Sequence, residues 1–199
     1  MKYPQTLNDL IECFKKLPGI GEKSAERMAL SILDLDEDVI DVFSDTLKNI
    51  KKKIKRCKEC NNYSEQDLCD ICKSTDRNKK IICVVEEPKN VILFEKIGSY
   101  NGLYHVLDGL ISPLDNINPD DINIDKLISR IKDNDIEEVI LAVKPSVEGE
   151  TTALYISKLL EKQNVKVSKI AHGVPIGVDM EYIDALTLEM ALEDRTNIF

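Results

Sequence analysis

Residues 81–97 read IICVVEEPKNVILFEKI, and this stretch decides the fold class of the longer part of the chain. Its first five residues form a continuous apolar and mostly β-branched run, which is typical of a strand buried on both faces. Pro88 follows at a place where the first turn of a helix tolerates proline. The stretch therefore predicts a buried strand that leads directly into a helix over 88–97.

The same alternation continues towards the C-terminus. Three further strands are predicted at 103–107, 139–143 and 165–170, and helices at 120–132, 150–162 and 182–193. Buried strands separated by helices of this length predict a parallel sheet covered by helices. We therefore expect an α/β domain with a four-stranded parallel sheet, followed by a helical tail.

Towards the N-terminus the period changes to that of helices. Leu7, Leu10, Ile11, Phe14 and Leu17 fall at spacings of three and four. The pattern breaks at Pro18-Gly19-Ile20-Gly21, restarts at Ala25, and a third helix is predicted over 39–55. The fold class is thus α+β and multidomain, with expected parts at 1–56, 57–79, 80–175 and 176–199.

The charge is divided unevenly along the chain. The 199 residues carry 27 basic and 36 acidic side chains, a net charge of −9. Residues 1–80 contribute 16 basic and 15 acidic side chains (+1), whereas residues 81–199 contribute 11 and 21 (−10). The acidity lies in the second part, so the overall charge does not exclude nucleic-acid binding by the first part.

Nothing in the sequence indicates export or membrane insertion. The first ten residues, MKYPQTLNDL, lack the apolar segment of a signal peptide, and no run of about 18 apolar residues occurs. Four of the six cysteines come as two Cys-x-x-Cys pairs, a pattern that favours a metal in a reducing compartment. We expect a cytoplasmic protein with no membrane contact.

The two cysteine pairs are the most specific chemical signal in the sequence. Cys57 and Cys60 form the first pair, and Cys69 and Cys72 follow after eight intervening residues. Two closely spaced pairs can supply a closed tetrahedral site of four thiolates, which suits structural Zn²⁺ and leaves no position for a catalytic water. Iron–sulfur ligation remains an alternative, although the usual spacings are absent. Cys13 and Cys83 lie in apolar patterns and are expected in the core.

The break at Leu17-Pro18-Gly19-Ile20-Gly21 resembles the helix–hairpin–helix motif of proteins that bind DNA independently of sequence. Gly19 and Gly21 allow a close backbone approach, and the next helix offers free N–H groups to a phosphate. Lys23 and Arg27, one turn apart, would add cations on one face. The alternative is a tight turn between two helices with no ligand.

A basic run follows the predicted third helix. Seven cations fall within eleven residues: Lys48, Lys51, Lys52, Lys53, Lys55, Arg56 and Lys58. Alone, the run would be a solvated helix end, because the helix dipole favours cations near a C-terminus. Beside the hairpin, it is expected to widen the DNA-binding surface, chiefly through Lys51, Lys52 and Lys53.

The α/β part is similar to the Toprim domain, the metal-binding module of topoisomerases and primases. In catalytic members the first strand supplies a Glu, which is matched here by Glu86, and a later strand supplies an Asp-x-Asp pair, which is replaced here by Lys144 and Ser146. Magnesium needs clustered carboxylates to replace its hydration shell, and this change loses two acids and gains a cation. We expect no Mg²⁺-dependent catalysis at Glu86; a divergent nuclease or primase using Glu86, Glu87 and Glu148 is the alternative.

In its whole order of motifs the chain resembles the bacterial recombination mediator family RecR, with Ala171–Gly177 and Glu181–Asp184 completing the likeness. Two local departures are Lys144, where a small polar residue is usual, and Val178-Asp179-Met180, which replaces a glycine-rich stretch. The resemblance implies a DNA-repair and recombination protein without catalytic residues. It also implies a homotetrameric ring that encircles single- or double-stranded DNA.

The same resemblance implies partners. It points to RecO and RecF, which help RecA displace single-strand-binding protein (SSB), with RecO contact at Glu148 and Glu150. Cytoplasmic, nucleoid-associated localisation also follows. A zinc-stabilised interaction module without DNA is a further alternative. His105 and His172 lack acid–base partners in the sequence and are expected to be structural.

Overall fold

A computed structural model describes residues 3–171 and 173–195 of the chain. It separates into two compact units, Met1–Lys53 and Ile54–Phe199. Among the described residues, none of the helices has the length and apolar character needed to cross a membrane. His172, which we expect to be structural, lies outside the described residues.

The first unit is helical, as predicted. It contains α1 (Gln5–Lys15), α2 (Glu22–Ile32) and α3 (Glu37–Lys53). Helices α1 and α2 pack through a small core of Ile11, Ala25 and Ala29. The alanines allow the two helices to approach closely, which explains why apolar residues of this size recur on α2. Cys13, by contrast, is exposed, so its predicted place in the core is wrong.

Helix α3 has no buried residue within the described chain, although it carries a long apolar face. The exposed residues of this face are Val39, Val42, Phe43, Leu47 and Ile50. Each of them is three or four positions from another of the five, so they lie on one side of the helix. We call these five residues the α3 apolar face.

The second unit begins with a small knuckle. Two strands of two residues each, β1 (Lys55–Arg56) and β2 (Tyr63–Ser64), pair in antiparallel orientation, and the one-turn helix α4 (Asp70–Lys73) follows. Both cysteine pairs lie here. Ile71 of α4 packs against the cysteines and also against the two apolar clusters that flank the neighbouring sheet. The knuckle therefore shares its packing with the rest of the unit.

The sheet contains β3 (Asn78–Val85), β4 (Gly102–Val106), β5 (Glu138–Ala142) and β6 (Lys166–Lys169). All neighbouring strands are parallel, and their order is β4-β3-β5-β6. The predicted four-stranded parallel sheet is thus confirmed, and β4 forms one of its edges. Helix α5 (Pro88–Ile97) has the predicted bounds, with Pro88 in its first turn.

The remaining helices connect and follow these strands. They are α6 (Ile124–Asp133), α7 (Val147–Leu160) and α8 (Ala185–Glu193), with short 3₁₀ turns at Pro113–Asp115, Pro119–Asp121 and Met180–Tyr182. The main core lies between the sheet and helices α6 and α7, around Leu127, Leu141 and Ile156. Cys83 is buried in the second apolar cluster of the sheet, as expected.

Candidate metal centre and nucleic-acid interface

The four cysteines of the knuckle converge on one point. Cys57, Cys60, Cys69 and Cys72 are all buried, and their sulfur atoms lie within 4.8 Å of one another. Four sulfurs at about 2.3 Å from a zinc ion would stand about 3.8 Å apart. The donor set and its spacing therefore fit a closed zinc site of four thiolates.

Backbone turns hold the sulfurs in place. The Cys57 amide donates to the Asn62 carbonyl over 2.7 Å, and the Asn61 amide donates to the Cys57 carbonyl over 3.0 Å. Asn61 has a φ of 61°, a left-handed conformation that asparagine tolerates and that closes this turn. The Cys69 amide donates to Cys57 Sγ over 3.3 Å, so it offsets part of that thiolate's charge.

The thiols also show why the site needs a cation. Hydrogen bonds from Cys60 and then Cys72 lower the pKa of Cys69. Contact with Cys69 raises the pKa of Cys60, contacts with Cys60 and Cys69 raise that of Cys72, and burial raises both pKa values further. Ionisation of Cys60 and Cys72 is thus opposed by the neighbouring sulfurs and by burial, and a dication bound by the four sulfurs would offset this cost.

The knuckle contacts the outer edge of β4. The Val106 amide donates to the Cys60 carbonyl over 2.8 Å, and Asn61 Nδ2 donates to the Val106 carbonyl over 3.2 Å. Arg130 of α6 lies alongside: its Nη1 donates to the Tyr104 carbonyl over 2.6 Å. The edge strand therefore has hydrogen-bond partners on both sides.

The predicted hairpin lies between α1 and α2. Gly19 has a φ of +80°, a conformation that glycine adopts without strain, so the turn itself requires a glycine at this position. Gly21 has an ordinary φ of −86° and is the N-cap of α2, and no side chain caps that end. A Cβ atom added at Gly21 would meet no atom within 4 Å.

The predicted cations beside the hairpin are exposed. Lys23 and Arg27 are separated by one turn of α2, on the side away from buried Ala25 and Ala29. Lys51, Lys52 and Lys53 are exposed in the last turn of α3. Within residues 3–171 and 173–195, none of these five has an ion-pair partner.

Three of the other four members of the basic run form ion pairs with acids. Lys48 pairs with Asp45 at 3.4 Å and Lys58 with Asp67 at 2.6 Å. Arg56 pairs with Asp108 at 2.7 Å and lies 4.6 Å over the ring of Tyr63. The electrostatic contribution expected from the whole run is therefore smaller than the count of seven cations suggests.

The Toprim-like acid lies where the parallel sheet predicts it. Glu86 follows β3 and Lys144 follows β5, and these strands are neighbours in register, with Val85 opposite Ala142. Their carboxyl ends meet, and Lys144 Nζ lies 3.7 Å from Glu86 Oε1. Among the described residues, Glu86 belongs to no group of three or more potential metal ligands.

Ser146, the other predicted departure, caps α7. Its Oγ accepts a hydrogen bond from the Gly149 amide over 3.2 Å and donates to Glu148 Oε2 over 2.8 Å. The bond from Ser146 is the main reason why the pKa of Glu148 is lowered. Gly149 is required here, because a Cβ atom would lie 2.0 Å from the Lys144 carbonyl oxygen.

Glu150 lies close by at the start of α7 and pairs with Lys169, at 3.1 and 3.2 Å from its two oxygens. Glu148 and Glu150 are thus both half-buried and engaged within the chain. Part of each side chain is exposed, so both remain accessible for the expected contact with a partner.

The sequence alone does not identify Arg130 as part of the metal centre. Arg130 is 8% exposed, and its Nη2 lies 3.8 Å from Cys72 Sγ. One signal was available: Arg130 follows Leu127 by three positions and precedes Ile131, which places it on the buried face of α6. A charged residue at such a position indicates a specific partner.

Comparison with known families gives four matches in one order. Residues 7–51 match the RecR helix–hairpin–helix, 54–74 the RecR four-cysteine zinc finger domain, 80–171 the Toprim domain and 173–196 the RecR C-terminal region. These matches define a Toprim protein with a helix–hairpin–helix and a four-cysteine zinc finger.

Three of the four matches are specific to RecR, and the four matches together extend over almost the whole sequence. The chain therefore belongs to the RecR family. It is a RecR-like recombination-repair protein, and its four knuckle cysteines form one structural Zn²⁺ site. The family assignment and the zinc site predicted from the sequence are therefore confirmed.

Proposed function

We propose that this chain is a non-enzymatic clamp that binds DNA independently of sequence during recombinational repair. In this proposal it acts with RecO and RecF, in the cytoplasm at the nucleoid, to help RecA load on gapped or SSB-coated single strands. Residues 1–56 bind DNA, 57–79 bind zinc, 80–175 form the Toprim domain and 176–199 the tail. The family assignment supports the general role, and the hairpin geometry supports the DNA contact.

The observation that carries the DNA contact is the conformation of Gly21. Its φ of −86° and the open space around it show that the chain itself does not need a glycine here. In our proposal a bound molecule requires the glycine, because the absence of a side chain lets that molecule reach the uncapped amides of α2. A phosphate group fits these donors and the positive end of the helix dipole.

The exposed cations supply the remaining affinity. Lys23, Arg27 and the three lysines Lys51, Lys52 and Lys53 are free of ion pairs within the described chain, so each can neutralise a phosphate. Contacts of this kind fix position on the backbone without reading bases. Binding to single- and double-stranded DNA without sequence preference follows.

The substitution Gly21→Ser tests this contact. Serine is a good N-cap in the extended conformation that Gly21 has, so the variant should be at least as stable as the wild type. Its hydroxyl would accept from the α2 amides and its Cβ would keep a phosphate away. We expect about tenfold weaker DNA binding by fluorescence anisotropy, with unchanged thermal unfolding. Wild-type affinity in a folded Gly21→Ser protein would exclude the hairpin as the phosphate site.

Ring assembly is supported by the α3 apolar face. Five large apolar side chains, each between 44% and 68% exposed, form a stripe along one helix. Such a continuous patch is typical of a protein interface, and we propose a second copy of this chain as its partner within a tetramer.

Solution mass tests the assembly. We expect Phe43→Glu to reduce the mass of the particle, whereas Lys48→Glu, on the opposite side of α3, should leave it unchanged. Light scattering at micromolar concentration, with and without DNA, measures both. A wild-type protein that is strictly monomeric in both conditions contradicts the ring.

The lack of catalysis is supported by the ion pair between Lys144 and Glu86. The ammonium group lies within 3.7 Å of the carboxylate oxygen that would hold a magnesium ion in a catalytic Toprim domain. A cation at this place opposes a second one. For RecO, we propose contact at Glu148 and Glu150, which are both in the first turn of α7.

A further inference from the structure

We propose that Arg130 is an outer-sphere residue of the zinc site that strengthens metal binding and couples the metal to the edge strand β4. The proposal rests on the position of one guanidinium group between the four-cysteine knuckle and strand β4. Its Nη1 donates to the Tyr104 carbonyl of β4 over 2.6 Å, and its Nη2 lies 3.8 Å from Cys72 Sγ.

Charge gives the first reason. A zinc ion with four thiolates carries a net charge of about −2, and burial makes this charge costly. Arg130 is a permanent cation and only 8% exposed, so its field is poorly screened by water. A hydrogen bond from Nη2 to Cys72 therefore stabilises the metal-bound thiolate more than the neutral thiol, and it favours zinc.

Geometry gives the second reason. The guanidinium group is planar, and its two amino groups point in fixed directions. When one donates to Tyr104, the other is held towards the sulfur of Cys72. Ordering of Cys72 by zinc thus favours the position of Arg130 that pairs with β4, and loss of zinc releases that constraint.

The knuckle makes this coupling important for the sheet. On its outer side β4 pairs with Cys60 and Asn61 at Val106, and with Arg130 at Tyr104. All three partners belong to the metal site or contact it. An edge strand without partners is exposed to pairing with other chains, so zinc indirectly protects β4.

Glu59 is the third group at this site. Its Oε2 lies 3.9 Å from the same Nη2, and its side chain is 49% exposed. The carboxylate competes with Cys72 for the guanidinium group and adds negative charge beside the thiolates. The structure therefore places one favourable and one unfavourable charge next to the metal ligands.

The chain offers a matched control in Arg77. This arginine is also largely buried, pairs with Glu95, and donates to the Tyr100 and Gly102 carbonyls at the start of β4. It has the same chemistry on the same strand, but its hydrogen bonds go to oxygen atoms and not to a cysteine sulfur. Arg77→Gln therefore measures loss of a buried arginine without loss of an outer-sphere contact.

Zinc affinity of the full chain, measured by competition with a chromophoric chelator, separates the two roles. We expect Arg130→Gln to bind zinc 10- to 100-fold more weakly, as is usual for lost outer-sphere partners, and Arg77→Gln to stay within about threefold of the wild type. In the cobalt-substituted proteins, the thiolate-to-metal absorption band should shift to lower energy in Arg130→Gln only, since a lost hydrogen bond raises the energy of the sulfur electrons.

Hydrogen exchange tests the coupling itself. Removal of zinc from the wild type should raise amide exchange at Val106, whose amide donates to the Cys60 carbonyl, and Arg130→Gln should show part of that increase while still loaded with zinc. Equal zinc affinity and an unshifted cobalt band in Arg130→Gln, with thermal stability reduced as in Arg77→Gln, would overturn the proposal.

Glu59→Gln keeps the proposal testable if Arg130→Gln does not fold. Glu59 is half exposed, so its replacement by an amide of the same shape preserves the fold. Loss of the competing carboxylate should raise zinc affinity and shift the cobalt band to higher energy. An unchanged affinity and band in this variant would count against Arg130 as a ligand-supporting cation.

Discussion

Lys144 Nζ lies 3.7 Å from Glu86 Oε1, across the carboxyl ends of two neighbouring parallel strands. This edge of a parallel sheet is where ligands and metals are usually held. In this chain the position beside the acid is taken by a side chain that carries its own positive charge. In our proposal, this ion pair is the physical reason why the Toprim fold of this chain lacks Mg²⁺-dependent catalysis.

Magnesium should therefore have no effect on DNA integrity. We expect the purified protein to leave supercoiled plasmid intact at millimolar Mg²⁺ or Mn²⁺, and Glu86→Gln to behave identically, because Glu86 belongs to no group of three or more potential metal ligands among the described residues. Agarose gels measure nicking. Metal-dependent nicking that disappears in Glu86→Gln would instead favour the nuclease alternative.

Salt dependence should report on Lys23 and Arg27. Each forms one phosphate contact in our proposal, so Lys23→Ala and Arg27→Ala should each weaken binding to all DNA sequences and reduce the slope of log K against log salt by about 1. Anisotropy titrations between low and moderate salt give the slopes. Lys162→Ala, just beyond the C-terminal end of α7, is the charge-matched control, and an unchanged slope in the double variant would reject both contacts.

Loss of one zinc ligand should abolish metal binding. Cys60→Ser removes a buried thiolate, and three ligands cannot close the tetrahedral shell, so we expect less than one zinc per chain and loss of order in the knuckle. Metal analysis and circular dichroism measure these effects. Cys13→Ser is the control, because Cys13 is exposed and outside the cluster. A metal-free Cys60→Ser protein with wild-type order would contradict a structural role of zinc.

Acid should destabilise the protein through His105. Its ring is buried, its Nε2 lies 2.8 Å from the Asn123 carbonyl, and burial lowers its pKa from 6.5 to about 4, with repulsion from Arg130 and Lys126 acting in the same direction. As pH falls, the unfolded chain therefore protonates His105 at a higher pH than the folded protein does. The stability that neutral His105 provides is complete above pH 6.5 and is lost between about 6.5 and 4, a change of about 3 kcal/mol.

His105→Gln isolates this effect. Other acid-sensitive groups are common to both proteins, so the difference between their urea midpoints at pH 7.5 and at pH 5 measures the histidine alone. We expect the variant to be less stable at pH 7.5 and to lose less stability on acidification. Parallel losses in the two proteins would show that His105 is not responsible.

Much of this architecture is readable from the sequence, for identifiable reasons. The sheet and α5 were predictable because buried parallel strands are continuously apolar and because Pro88 marks a helix start. The zinc site was predictable because four ligands of one chemical type lie close together in sequence. Cys13 was misassigned because its apolar neighbours belong to one face of α1 and the cysteine itself lies beside that face.

The contacts that sequence alone does not provide are those between distant residues. Arg130 is 58 positions from Cys72 and Arg56 is 52 positions from Asp108, so no local pattern joins either pair. The position of Arg130 on the apolar face of α6 predicts that it has a partner, but only the fold shows that the partner is Cys72. The sequence predicts a phosphate contact at Gly21, and the structure adds that the backbone at this position could accept another residue.

The hydrogen bonds between Val106 and the Cys60–Asn61 turn have a practical consequence for dissecting this molecule. A truncated Toprim piece beginning at Lys80 would lack the turn that occupies the outside of β4. The uncovered edge strand could then pair with the same strand of another copy. The fragment would aggregate or form oligomers that the whole chain does not form. Fragments for biophysical measurements should begin at Ile54, so that they include the metal-binding turn that covers β4.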